Sequence, residues 1–146
     1  MALIKQNELL ANYCTYKIGG PGKAVFFASN VEEIIAGLET ARENNFKFFI
    51  LGGGSNVLFS DAGFFGLVLK IENDFARIAE ESPDSVLLSV GAGTLLGALA
   101  NFARDNSLSG LEWAVGIPGT LGGAIRGNAG AFHGDIAESV RRLEAL

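Results

Sequence analysis

The 146-residue sequence holds one cysteine, one histidine, one tryptophan, one methionine and three prolines. A single thiol, Cys14, cannot close an internal disulfide, and no cluster of Cys and His has the spacing of a zinc site. Cationic side chains are scarce too. The chain has 11 Lys and Arg against 16 Asp and Glu, a formal charge of −5, and no stretch concentrates them. A role that depends on neutralising nucleic-acid phosphates has little to work with, so no nucleic-acid partner is expected. Charged residues make up 18% and hydrophobic residues 49%, which argues against disorder and supplies a packed core. The first eight residues contain no long apolar run and no small-residue cleavage site after one. No signal peptide is read, and a cytoplasmic protein is expected. Residues 85–103 are uncharged, but Gly91-Ala92-Gly93-Thr94 interrupts them. A strand, a turn and a helix are expected there rather than a membrane span.

Several chemical signatures are missing as well. The pattern G-x-G-x-x-G opens at Gly52-x-Gly54 and at Gly91-x-Gly93, each after an expected strand, but its third glycine is Val57 in one and Leu96 in the other. The dinucleotide fingerprint of an open parallel sheet therefore fails twice. Gly22-Lys23 hints at a phosphate loop, yet Lys17 and Ala24 occupy the positions that need glycine and Ser or Thr. No G-x-S-x-G elbow exists. Cys14 and His133 are read as a semi-buried thiol and a loop imidazole rather than as a catalytic couple.

What the chain has in excess is glycine, 20 residues, about twice the usual share of ~7%. The glycines cluster without a collagen period and so serve particular turns. Between them the pattern alternates. Residues 23–28 read as an aromatic-rich strand. Ser29 stands three before Glu32, the capping-box spacing, and Val31, Ile34, Ile35, Leu38 and Ala41 form one helical face that ends at Asn44-Asn45. A buried strand is expected at 48–51 and further strands at 57–59, 67–71 and 86–90, with a turn at 61–63 and a polar loop at 80–84. Thr94 is expected to cap a helix over Leu95, Leu99, Phe102 and Ala103 that ends near Asn106. Residues 139–146 read as the start of a strand, with a helix the alternative. A β-α-β opening, then strands and a second helix, indicates an α+β or mixed α/β fold.

Two glycine stretches could carry chemistry. The first is Gly52, Gly53, Gly54, Ser55, Asn56, Val57 and Leu58, directly after the strand that ends at Leu51. Three bare residues leave backbone N–H groups free to converge on an anion such as a diphosphate, and Ser55 and Asn56 add neutral donors. An acidic protein can hold a diphosphate this way. The alternative is a glycine-rich turn without a ligand. The second stretch is Gly116, Ile117, Pro118, Gly119, Thr120, Leu121, Gly122, Gly123 and Ala124. Pro118 suits a first helical turn, so a short helix is expected from Gly119. Its glycines would let a flat ring or a diphosphate lie against backbone near a helix N-terminus. Close helix–sheet packing would use the same small residues.

Taken together, L-G-G-G-S-N-V-L at 51–58, G-I-P-G-T-L-G-G-A at 116–124, Arg126 and N-A-G-A-F at 128–132 resemble the UDP-N-acetylenolpyruvoylglucosamine reductase family, the UDP-N-acetylmuramate dehydrogenases of bacterial cell-wall synthesis. T-Y-K-I-G-G at 15–20 and G-A-G-T at 91–94 also fit the family's order of blocks. The resemblance implies an α+β, p-cresol methylhydroxylase/vanillyl-alcohol oxidase-type FAD-binding fold of two subdomains. These would cover 1–72 and 73–146, the second incomplete at its C-terminus, with the substrate domain absent. FAD would lie between them, its diphosphate at Gly52 to Asn56 and its other face at 116–124. The implied cofactor-binding set is Leu51, Gly52, Gly53, Gly54, Ser55, Asn56, Val57, Gly116, Ile117, Pro118, Gly119, Thr120, Gly122, Gly123 and Ala124.

In the family NADPH reduces FAD, which then passes hydride to the enolpyruvyl double bond of a UDP-sugar while a serine protonates the neighbouring carbon. That serine and an assisting arginine and glutamate match no position here, so no catalytic residue is assigned. The family's usual N-A-G-A-Y-G departs at Phe132, which lacks the tyrosine hydroxyl, and His133 is additional. Arg126 could touch a phosphate or face solvent; the structural reading is favoured. Two other readings stay open: another flavin oxidoreductase of the same fold, or a truncated, non-enzymatic fragment.

Overall fold

The computed structural model describes residues 3–146. Its first half is built on a four-stranded sheet of order β1-β2-β4-β3, from β1 (Leu3–Leu9), β2 (Pro21–Ala28), β3 (Phe48–Leu51) and β4 (Phe64–Ile71). β1 runs antiparallel to β2, whereas β2, β4 and β3 are mutually parallel. Helix α1 (Val31–Glu43) crosses from β2 to β3 and packs on one face, against Phe26, Leu67, Leu69 and Ile71. The opposite face buries Val25, Phe27, Leu51 and Val68 under Leu10, Cys14 and Phe59. Leu10 and its neighbours belong to a one-turn 3-10 helix at Leu10–Tyr13.

Helix α1 starts one residue later than the Ser29–Glu32 spacing predicts. Asn30 is the N-cap, its Oδ1 accepting from the Glu33 amide at 2.9 Å, while Glu33 Oε2 accepts from the Ser29 amide at 2.9 Å. The cap is real but shifted, and the return bond reaches the residue before the N-cap rather than the N-cap itself. Ile34, Leu38 and Ala41 face the sheet as expected, whereas Val31 and Ile35 are 46% and 40% exposed and Gly37 takes an inner position. A Cβ at Gly37 would meet Leu69 Cδ1 at 2.6 Å, so glycine lets the helix sit close to the sheet.

The expected strand at 57–59 is not a strand. β3 and β4 are parallel neighbours, so 52–63 must return the length of a strand before β4 begins. It returns as irregular backbone, with Val57 and Phe59 pressed onto the sheet face. That placement explains their hydrophobic pattern.

The second half has a different build. β5 (Ala76–Ser82) and β6 (Ser85–Val90) form an antiparallel hairpin. The expected polar loop at 80–84 is mostly strand β5, because its charged residues point to solvent while the backbone pairs with β6. Helix α2 (Leu96–Asp105) comes next, as the apolar spacing predicts. Thr94 does not cap it. Its buried hydroxyl donates to Phe75 O at 3.0 Å and accepts from the Phe75 amide at 3.1 Å, tying the start of β5 to the turn before α2.

A 3-10 turn (Glu112–Ala114), helix α3 (Leu121–Gly127), the two-residue strands β7 (Gly130–Ala131) and β8 (Gly134–Asp135) and helix α4 (Ile136–Ser139) complete the order. Their core is Leu96, Ala100, Trp113, Ala114, Ala124 and Ile136. Residues 140–146 have neither the expected strand nor a helix. Among the described residues no helix is long and apolar enough to cross a membrane. The stretch 85–103 divides into β6, a turn and α2.

Candidate flavin site

The two glycine stretches meet. A Cβ on Gly52 would collide with Thr120 Oγ1, and one on Gly53 would lie 3.0 Å from Gly119 Cα and 3.3 Å from the Thr120 amide nitrogen. On its other side the first loop rests on the segment after β1. A Cβ on Gly54 would strike the Tyr13 carbonyl, and the Thr15 amide donates to Gly54 O at 3.0 Å. Only side-chain-free residues permit this stacking of three main-chain segments. Gly54 also has φ +71°, which disfavours other residues.

The loop's amides are left over. Among the described residues, the N–H groups of Gly52, Gly53, Gly54, Ser55 and Asn56 donate to no backbone or side-chain acceptor. Gly52, Gly53 and Ser55 are half-buried and Gly54 is buried. Consecutive unpaired donors on partly covered backbone are unusual, because protein amides in such positions nearly always find a partner.

The second stretch behaves differently. Thr120, the N-cap of α3, is 3% exposed, and its Oγ1 has no hydrogen-bond partner among the described residues. The Leu121 and Gly122 amides, by contrast, donate to Thr94 O and Ala92 O at 2.8 Å each. The Leu96 amide donates back to Gly119 O at 3.0 Å. This pairing delays α3, which begins at Leu121 rather than Gly119 and leaves Pro118 outside its first turn. Gly116 and Gly119 have φ +84° and +117°. Ile117 and Ala124 send their side chains into the core beneath, as Val57 does in the first half.

Cys14 and His133 stay in separate environments. The thiol is buried against the first sheet and donates to Ile18 O at 3.3 Å, while His133 is exposed in the turn between β7 and β8. Arg126 lies exposed on the last turn of α3. Among the described residues no group of His, Cys, Asp and Glu could hold a metal ion.

Beside the first loop is a shallow, open cavity of about 240 Å³ lined by Asn12, Tyr13, Cys14, Thr15, Lys17, Gly53 and Lys70. Lys70 is half-buried on β4, paired in register with Phe27 and Leu51. Burial pushes its ammonium below the usual lysine range, with Glu72 opposing the shift. The Tyr13 phenol donates to Glu8 Oε2 at 2.8 Å, and burial together with that carboxylate raises its pKa. Sequence reading did not place Lys70 here. The available signal was its position two residues after Val68, which puts a lone charge on an inward strand face.

This geometry agrees with what known proteins show. The FAD binding domain family matches residues 21–146. The chain belongs to that family. Two UDP-N-acetylenolpyruvoylglucosamine reductases are close in sequence. That of Clostridium novyi (strain NT) is 40% identical over 98% of this chain and 45% of its own length. That of Desulforamulus reducens is 41% identical over 98% and 46%. Among solved structures, UDP-N-acetylenolpyruvylglucosamine reductase from Thermus caldophilus aligns with a TM-score of 0.72 and 32% identity, over 92% of this chain and 46% of that one. CrmK, a flavoenzyme of caerulomycin biosynthesis, shares the fold alone, at a TM-score of 0.58 and 14% identity, over 72% of this chain and 22% of that one. The chain corresponds to the N-terminal part of these reductases and spans under half their length. The mixed α and β content is that of known flavoenzymes, and the cofactor of this FAD-binding domain is FAD. The unpaired amides of 52–56 and the orphaned Thr120 hydroxyl fit such a group, since both need acceptors that the protein does not provide.

Proposed function

We propose that these 146 residues are the FAD-holding part of an NADPH-dependent reductase that converts UDP-N-acetylglucosamine enolpyruvate to UDP-N-acetylmuramate, a cytoplasmic step of peptidoglycan synthesis. Two subdomains, 1–72 and 73–146, make a flavin fold of the p-cresol methylhydroxylase/vanillyl-alcohol oxidase type. The observation that carries the reading is the run of five unpaired amides at Gly52, Gly53, Gly54, Ser55 and Asn56. It is supported by similarity to reductases of that name along nearly the whole chain.

In this reading the loop donates main-chain hydrogen bonds to the diphosphate. Dipoles fixed by the fold need no reorganisation and add no net charge. The Thr120 hydroxyl adds a donor from the facing stretch, and Gly116, Pro118, Gly119 and Gly123 present backbone without bulk. Gly122 and Ala124 hold that wall in place. Bound there, FAD supplies hydride transfer from NADPH to the enolpyruvyl double bond. The chain's own contribution is to bind and orient the cofactor. The proton donor and the groups that polarise the substrate match no residue of the chain.

Titration of the purified chain with FAD, monitored by flavin fluorescence, tests the reading. Saturable binding is expected, with riboflavin far weaker because it lacks the diphosphate. Absence of saturable binding overturns the proposal. A different flavin oxidoreductase, tethering its cofactor through Cys14 or His133, would instead keep yellow colour on acid-precipitated protein. The buried Cys14 thiol gives that alternative no support.

A further inference from the structure

The cavity beside Gly53 holds two lysines and no carboxylate. Asn12, Tyr13, Cys14, Thr15, Lys17, Gly53 and Lys70 line it, and neither lysine forms an ion pair among the described residues. Lys17 Nζ makes a single contact, donating to Asn12 O at 3.4 Å. Lys70 Nζ donates to no acceptor among the described residues, although it is half-buried on a strand between Phe27 and Leu51. Burial disfavours the ammonium, and the Glu72 carboxylate offsets this only in part, without forming an ion pair among the described residues. The stem alone could account for the position by covering apolar surface, with the charge reaching out to water. The neighbouring Gly53 and Gly54 amides, however, are also donors without an acceptor among the described residues, so several unused donors converge beside the ammonium.

Resting on the FAD reading above, we propose that this cavity is an anion subsite in which Lys70, assisted by Lys17, contacts the diphosphate of the cofactor. The grip is then mixed. Main-chain amides fix the orientation of the phosphate oxygens, and one partly desolvated ammonium supplies the charge that an acidic protein otherwise lacks. A charge-assisted contact in a half-buried place is stronger than a neutral one. Burial lowers the Lys70 pKa in the free protein, and an anion placed beside the ammonium opposes that shift.

The test separates charge from stem. Lys70→Met keeps the apolar stem and removes the ammonium, while Lys70→Arg keeps a cation. FAD, ADP and riboflavin are titrated against the wild-type chain and both variants. Lys70→Met is expected to weaken FAD and ADP alike, by about 10- to 100-fold, with riboflavin unchanged and Lys70→Arg retaining most of the affinity. Lys17→Met gives a smaller loss, since Lys17 is exposed. Wild-type affinity in Lys70→Met overturns the subsite while leaving FAD binding by the chain intact. An equal loss for riboflavin overturns it too, by placing Lys70 at the ring system rather than the diphosphate. A wild-type chain that binds no FAD overturns the underlying reading itself.

Discussion

The two glycine stretches look alike on paper and do different work. Among the described residues, 52–56 leave five consecutive amides without acceptors, whereas in 116–124 the Ile117, Leu121, Gly122 and Ala124 amides are all taken. Each stretch needs small residues for its own reasons: Gly52 and Gly53 lie against Thr120 and Gly119, and Gly54 against Tyr13, whereas Gly122 lies against Ala92 and Gly116 and Gly119 have positive φ. The difference arises from the path the chain takes around each one. After β3 the chain must turn and run back to reach its parallel neighbour β4, so the loop has no strand beside it to pair with. Before α3 the chain instead lies beside the turn at 92–96 and forms an isolated antiparallel bridge, Leu95 to Thr120. Glycine density therefore indicates close approach of backbones; only the hydrogen-bond accounting shows which stretch has donors to offer.

That contrast can be broken at its centre. Gly53→Val is expected to abolish FAD binding. The cause is not a forbidden φ, since Gly53 is outside the positive-φ set; its Cβ would press on Gly119 and Thr120 and force the stretches apart. Loss of FAD-dependent fluorescence change, with a lowered melting temperature, checks it. Thr120→Val comes next. Removing a buried hydroxyl that lacks a partner leaves apo stability unchanged or raises it by up to about 1 kcal/mol, while FAD affinity falls about tenfold. Denaturant unfolding and FAD titration of the same samples read both effects.

Gly122→Ala sharpens the comparison from the other side. Its Cβ would lie 3.0 Å from Ala92 Cβ and 3.1 Å from Ala92 O. A stability loss of roughly 1 kcal/mol is expected from the overpacking, with FAD affinity within about twofold of wild type once the protein is folded. Smallest is Gly97→Ala in α2, where no atom lies within 4 Å of the new Cβ. It should stabilise the chain by about 0.5–1 kcal/mol and leave FAD binding unchanged. Thermal melts and the same FAD titration check both alanine variants.

Much of the scaffold was legible because period and burial agree. α2, β6 and the buried part of β4 obey their apolar spacing, and α1 does so at Ile34, Leu38 and Ala41; β3 forms where its apolar run predicts, but as a sheet edge with Phe48 and Ile50 exposed rather than as a buried strand. The sequence misled where side chains and backbone serve different ends. β5 is polar, yet its amides pair with β6; Val57 and Phe59 look like a strand, yet only their side chains are engaged. Edge strand β1 is mostly exposed and shows little alternation. In the site, the glycine runs were visible as runs. Their mutual contact and the approach of Lys70 depend on β4 lying between β2 and β3, which no local pattern encodes. Thr94 and Thr120 show the same limit. Both precede helices and look like caps, but one hydroxyl bonds across to Phe75 and the other bonds to nothing in the protein.

Whether main-chain amides of 52–56 hold the cofactor's diphosphate is decided by amide NMR of the isotopically labelled chain, titrated with FAD and then with riboflavin. The Gly52, Gly53, Gly54, Ser55 and Asn56 resonances are expected to move strongly with FAD and little with riboflavin, and the paired Leu121 and Gly122 amides to move less. Saturable FAD binding that leaves the five loop amides where they were would contradict that contact.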